Sequence, residues 1–130
     1  MIVLDASATI ELLRRSEIGR QVAERLAADD EALHVPHLLD VEVAQGLRRL
    51  VRIGEIAPTR AEAALAILAD LAVVRHGHEG LLPRVWAMRD NLTAYDAVYV
   101  ALAEVLDATL LTLDGRLAKA PGHRARVQLL

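Results

Sequence analysis

The chain switches repeatedly between short continuous apolar runs and longer stretches of helical spacing. Ile2 to Leu4 is apolar throughout and ends at Asp5-Ala6-Ser7, the pattern of a short buried strand. Ser7 is placed to cap a helix running to about Arg15, and Glu17 to Ala28 repeats Ile18, Val22 and Leu26 on one helical face. Ala32 to Val35, closed by Pro36, predicts a second strand. His37 to Ile53 predicts a long helix through Leu38, Val41, Leu47, Leu50 and Val51, ended by Gly54. Thr59 and Glu62 match a capping box ahead of a helix to about Leu71. A weaker strand over Ala72 to Arg75, a loop over 76–80 and a short helix over Leu81 to Arg89 follow. The helix from Thr93 to about Leu106 then leads into a strand over Thr109 to Leu113, stopped by Asp114-Gly115. A short helix over Arg116 to Ala120 and an edge strand over Val127 to Leu130 complete the chain.

Strands alternating with helices or helix pairs predict an α/β fold, with a short, mostly parallel sheet of four or five strands and helices on both faces. The 130 residues suit a single domain, 1–130, with no repeat, low-complexity segment or linker.

Composition narrows the chemistry. With 54% hydrophobic residues and no Phe, the core must be built from Leu, Val, Ile and Ala. The absence of Cys excludes disulfides and thiolate metal sites. No basic leader precedes Ile2, and Asp70 interrupts the most apolar helix, so the expectation is a cytoplasmic protein with no membrane partner. The net charge of −3 speaks against broad electrostatic binding to nucleic acid, and the three aromatics, Trp86, Tyr95 and Tyr99, against a base-stacking platform. Lys119 is the only Lys beside 14 Arg, a bias that genomic base composition explains as well as phosphate binding does.

Four acids stand out because the topology gathers them. In an open parallel sheet, ligands bind at the carboxyl ends of the strands. Asp5 directly follows the first strand and Asp114 the fourth. Glu42 lies about five residues into the helix after the second strand, ~8 Å below the rim at ~1.5 Å per residue. The helix from Thr93 must descend into the fourth strand, so Asp96 starts at the same rim. Each acid alone has an ordinary explanation: a strand-to-helix turn for Asp5, pairing with Arg49 for Glu42, a capping box with Thr93 for Asp96, a turn dipeptide for Asp114. Together they need a cation. Two carboxylates ~4 Å apart repel by ~4 kcal/mol at an effective dielectric near ~20. A donor set of hard oxygens suits Mg²⁺ or Mn²⁺, one or two ions, and such ions activate water for phosphoryl displacement. Ser7 and Thr112 flank the strand-end acids as candidate supporting hydrogen bonders. Arg116 and Arg49 are candidate phosphate contacts, with Arg48 and Arg52 on the same basic face as Arg49. His34, His37, His76, His78 and His123 read as surface residues, and Asp40, Asp90, Glu104 and Asp107 as solvated acids.

These motifs resemble those of PIN-domain ribonucleases, most closely the VapC toxins of bacterial and archaeal toxin–antitoxin pairs. The resemblance rests on Ile2-Val3-Leu4-Asp5-Ala6-Ser7-Ala8, on Glu42, on Thr93-Ala94-Tyr95-Asp96-Ala97-Val98-Tyr99-Val100-Ala101-Leu102-Ala103, and on Leu111-Thr112-Leu113-Asp114-Gly115-Arg116-Leu117. It implies a PIN-like three-layer fold and a Mg²⁺- or Mn²⁺-dependent endoribonuclease, with Asp5, Glu42, Asp96 and Asp114 as the acidic quartet. Asp5, Asp96 and Asp114 would hold the metal, with Glu42 as a further ligand or the group that orients water, and Thr112 in support. It also implies an RNA substrate, a homodimer, and a VapB-type antitoxin whose C-terminal segment lies over the site. Many relatives carry one more acid near the position of Arg116. The alternatives are a PIN-fold RNA-processing nuclease outside a toxin–antitoxin pair, phosphoryl transfer through a nucleophilic Asp5, or a non-catalytic binding module. The phosphotransferase pattern calls for a second Asp where this chain has Ser7.

Overall fold

The computed structural model describes residues 1–130, the side chain of Asp29 excepted. Five strands, β1 (Ile2–Leu4), β2 (Leu33–Pro36), β3 (Val73–His76), β4 (Thr109–Thr112) and β5 (Arg126–Leu129), form one parallel sheet in the order β3-β2-β1-β4-β5. The helices are α1 (Ala6–Arg14), α2 (Glu17–Asp29), α3 (Leu38–Arg52), α4 (Pro58–Asp70), α5 (Leu82–Ala87), α6 (Ala94–Leu106) and α7 (Gly115–Lys119). A 3₁₀ turn over Glu79–Leu81 enters α5, so part of the expected loop is ordered into helix.

Right-handed crossovers fix the layers. The connections β1 to β2 and β2 to β3 step one way across the sheet, which puts α1 through α4 on one face. The connection from β3 jumps back to β4, and β4 to β5 continues that way, so α5, α6 and α7 lie on the other. The direction of winding reverses between β1 and β4, the place where open α/β sheets form their crevice. Leu4 pairs with Leu111 there, and the chain leaves both strands at the same edge.

The central strands are apolar because both faces are covered: Ile2, Val3, Leu4, Leu110 and Leu111 are at most 1% exposed. Residues 97–103 of α6 are all buried, which makes it the best-covered helix of its layer. In α3 the inward row is Leu39, Val43 and Leu47. Val41, expected on that face, is 68% exposed, because the burial follows the 39/43/47 row.

Two expected caps are not formed. Asp5, not Ser7, caps α1, accepting from Ala8 N at 2.9 Å. Helix α4 starts at Pro58 after Ala57 with no side-chain cap; proline at the first helical position needs no N–H partner, so the Thr59–Glu62 box is not used. The expected cap on α6 is present, with Asp96 N donating to Thr93 Oγ1 at 3.2 Å.

Helices α1 and α2 meet where Gly19 allows close approach. A Cβ at Gly19 would lie 2.0 Å from the backbone oxygen of Glu11. At Gly46 the nearest atom, at 2.3 Å, is Cδ1 of Ile10, the end of a flexible side chain. Gly19→Ala should therefore destabilise the protein by ~1–3 kcal/mol despite the better helix propensity of Ala, while Gly46→Ala should fall within ~1 kcal/mol of the parent. Urea unfolding of the two variants checks this; equal midpoints would contradict it.

Candidate active site at the β1–β4 crevice

Asp5 is 5% exposed and is the most enclosed carboxyl of the crevice. Its Oδ1 accepts from Ala8 N at 2.9 Å, and its Oδ2 from Thr112 Oγ1 at 2.5 Å. Ser7 Oγ sits 2.7 and 2.9 Å from the two oxygens. The hydroxyls are anchored in turn, since Leu113 N donates to Ser7 Oγ at 3.0 Å and Asp114 N to Thr112 Oγ1 at 2.9 Å. Asp5 is thus tied to the backbone that leaves β4. Burial raises its pKa, the Ala8 N–H and the two hydroxyls pull it down, and the charge of Asp96 raises it again.

Asp114 caps α7, its Oδ1 accepting from Arg116 N at 2.8 Å and from Leu117 N at 3.5 Å. The Arg116 guanidinium reaches the same oxygen only at 3.6 Å and is 95% exposed, free to swing toward a ligand. Asp96 is half-buried in the first turn of α6. Burial and the charge of Asp114 raise its pKa, and Thr93 and Arg116 offset part of the rise. Glu42 is half-buried as the fifth residue of α3. Its pKa is raised by burial, lowered by a hydrogen bond from Tyr99, and raised by Asp96 and Asp5. The pairing with Arg49 that would have given Glu42 an ordinary role is not formed; instead the Tyr99 hydroxyl donates to Glu42 Oε2 at 2.5 Å.

The four sequence-predicted acids therefore share one electrostatic neighbourhood. Among the described residues, Asp5, Glu42 and Asp96 have no Lys, Arg or His within ion-pair distance. No three acidic or imidazole side chains among the described residues converge closely enough to form a ready-made metal cage. The acids border the crevice without collapsing onto one point, as like charges lacking a counter-ion do. The donors are hard oxygens, and the fit is to a divalent cation of the Mg²⁺ type. Beside Ser7, a groove of about 330 Å³ runs between α1 and α3, with Ile10 and Leu50 in its wall and the exposed Arg49 at its side.

Other assignments change. His34 is not a free surface residue: its Nδ1 lies 2.9 Å from His76 Nε2, and burial lowers its pKa. His76, His78 and His123 are also half-buried; only His37 is exposed. Glu104 is not solvated, because its side chain is 5% exposed and paired with Arg84 at 2.7 and 2.8 Å. Asp40 is bridged to Arg75 at 2.9 Å. Sequence reasoning missed Tyr99. The available signal was a phenol one turn after Asp96 on an otherwise apolar face, since a buried Tyr O–H needs a polar partner.

The PIN domain family model matches residues 2–123. The chain belongs to the PIN-domain family. Ribonuclease VapC9 of Mycobacterium tuberculosis is 48% identical over 118 residues, covering 91% of this chain and 89% of that protein. Ribonuclease VapC1 of the same species is 42% identical over 129 residues, covering 98% and 96%. This PIN domain is thus of the VapC type. Two solved structures share the fold. Mycobacterium tuberculosis VapC20, described as a sarcin–ricin loop cleaving toxin, superposes with a TM-score of 0.70 at 19% identity, covering 91% of this chain and 93% of its own. VapBC2 of Rickettsia felis, bound to a DNA fragment from their promoter, gives 0.69 at 13% identity, covering 100% and 99%.

The raised acids set a pH dependence with a definite sign. In the metal-free protein, Asp5, Glu42 and Asp96 hold protons to higher pH when folded than when unfolded, so stability should rise as pH falls through their raised folded values. The buried Glu104–Arg84 pair works oppositely. The Glu104 pKa is held down to about 2 by Arg84, so its contribution is present above 4.5 and lost as pH falls below that. Melting in EDTA should therefore peak in the weakly acid range. A melting temperature that climbs steadily from pH 5 to 8 would contradict the arrangement.

Proposed function

We propose that residues 1–130 act as one PIN domain, a metal-dependent endoribonuclease and the toxin of a toxin–antitoxin pair. The observation that carries this reading is the set of four carboxyl groups at the β1–β4 crevice, three of them with no cation within ion-pair distance among the described residues. The VapC relatives are named ribonucleases, which supplies the substrate class.

In this reading Asp5, Asp96 and Asp114 hold Mg²⁺ or Mn²⁺. When bound, the ion neutralises the crevice and supplies activation of water and charge stabilisation at the phosphorus. Asp5 is prepared for one further contact. A carboxylate has about four lone-pair sites, and the Ala8 N–H, Ser7 O–H and Thr112 O–H use three. Glu42 takes part as a ligand or by orienting the attacking water. Arg116, exposed beside Asp114, meets the RNA phosphate, and Arg49 contacts the strand or partner that runs along the neighbouring groove. That groove also suits an antitoxin segment laid over the site. A homodimer in the cytoplasm completes the reading; no helix among the described residues is long and apolar enough to cross a membrane.

The phosphotransferase alternative is disfavoured by Ser7, which stands where that chemistry calls for a second Asp and here hydrogen-bonds to Asp5 itself. Covalent trapping of Asp5 by a phosphate mimic would revive it.

Asp5→Asn and Asp96→Asn should each lower RNA cleavage by more than ~100-fold and abolish growth arrest on expression. Full activity in both would remove the assignment. Millimolar Mn²⁺ should raise the melting temperature and EDTA reverse it, with ~2.7 kcal/mol expected at ~100 times the dissociation constant. Without bound metal, Asp96→Asn should itself raise the melting temperature by ~2–5 °C, because it removes one of the repelling charges.

A further inference from the structure

The bond between Tyr99 and Glu42 joins the two layers of the sheet at the crevice. Tyr99 is 2% exposed within the buried 97–103 run of α6, and its hydroxyl donates to Glu42 Oε2 at 2.5 Å. Helices α6 and α3 belong to opposite layers of the sheet. Among the described residues this is the only side-chain hydrogen bond between them, and the only hydrogen bond to the Glu42 carboxylate. Tyr99 lies three residues after Asp96, so the two share one face of α6, the phenol one turn below the carboxylate.

We infer that Tyr99 is a positioning residue, which fixes Glu42 against Asp96 and Asp5 by occupying one carboxylate oxygen and leaving the other for the site. The inference rests on the proposed metal-dependent ribonuclease. An unrestrained Glu side chain on α3 samples several rotamers, and its charge would retreat from Asp5 and Asp96. The phenol opposes this with a donor delivered from the helix that carries Asp96 itself. With Oε2 held in place by the phenol, Glu42 presents Oε1 to the site and acts as a one-point ligand or through a water. Packing alone does not account for the hydroxyl, because a Phe ring would fill the same apolar space.

The test is a double-mutant cycle on the full chain with Tyr99→Phe, Glu42→Ala and the combination. The readouts are the Mn²⁺ dissociation constant, from the electron paramagnetic resonance of free Mn²⁺, and kcat and KM for cleavage of an oligoribonucleotide. Glu42→Ala should change the Mn²⁺ affinity, kcat or both. Tyr99→Phe should change the same quantity in the same direction by about 10- to 100-fold, with KM changed less than kcat. In the Glu42→Ala background it should add less than about 2-fold. Parental behaviour of Tyr99→Phe, or an equal loss in both backgrounds, overturns the inference. If Tyr99→Phe does not stay folded, 3-fluorotyrosine in a Tyr95→Phe chain reports instead. Its ¹⁹F resonance should shift on adding Mg²⁺ to the parental chain and not to Glu42→Ala; a resonance blind to Mg²⁺, or one that shifts equally in both, overturns it. Asp5→Asn and Asp96→Asn separate the two claims: if both stay fully active the ribonuclease reading fails, and if they are inactive while Tyr99→Phe is parental only the role of Tyr99 fails.

Discussion

The structure depends on one buried carboxylate. Asp5 follows β1, caps α1 and receives Ser7 from the first turn of α1 and Thr112 from the end of β4, so a single side chain joins the two strands at which the sheet reverses its winding. An acid this buried is costly unless hydrogen-bonded, and three donors meet that cost with one lone-pair site left over. Strand pairing, helix start and chemical readiness are thus set by the same group. Charge is then added to a site already short of cations. Asp96, Asp114 and Glu42 are brought to the rim by their helix starts, and the fold accepts their repulsion because the core beneath is continuous and apolar.

That arrangement trades stability for function. The crevice holds carboxylates close together at the edge of a sheet whose central strands are buried, with residues 97–103 of α6 packed on one face. Pairs elsewhere show what an unexceptional acid does in this protein: Glu104 takes Arg84 in a two-point contact, and Asp40 takes Arg75. The crevice acids have not been paired in this way. The difference between the two kinds of acid is the strongest physical argument that the crevice is built for an external cation.

Much of this was legible in the sequence, for identifiable reasons. The strands are mostly short apolar runs bounded by Asp, Pro or Gly, so a mostly parallel sheet of four or five could be read, though not its order β3-β2-β1-β4-β5, and parallel topology then forces strand-end acids to one edge. The convergence of Asp5, Glu42, Asp96 and Asp114 needed no side-chain detail. What was not legible depends on long-range partners. Ser7 looks like a helix cap because local spacing cannot reveal that Asp5 takes the role while Ser7 serves Asp5 from inside the helix. Val41 looks inward because periodicity permits two neighbouring rows on α3, and only packing selects 39/43/47. Glu104 looks solvated because Arg84 is 20 residues away in sequence, and Tyr99 looks like core because its partner lies 57 residues away.

The central claim is that the β1–β4 crevice is a divalent-metal site made of these four acids. Its most direct test is anomalous diffraction at the manganese edge from crystals soaked in Mn²⁺. The account predicts a peak in the crevice bonded at ~2.0–2.3 Å to oxygens of Asp5, Asp96 and Asp114, with Glu42 bound through at most one oxygen. A saturating soak that leaves the crevice without a peak, or places the manganese on other residues, would contradict it.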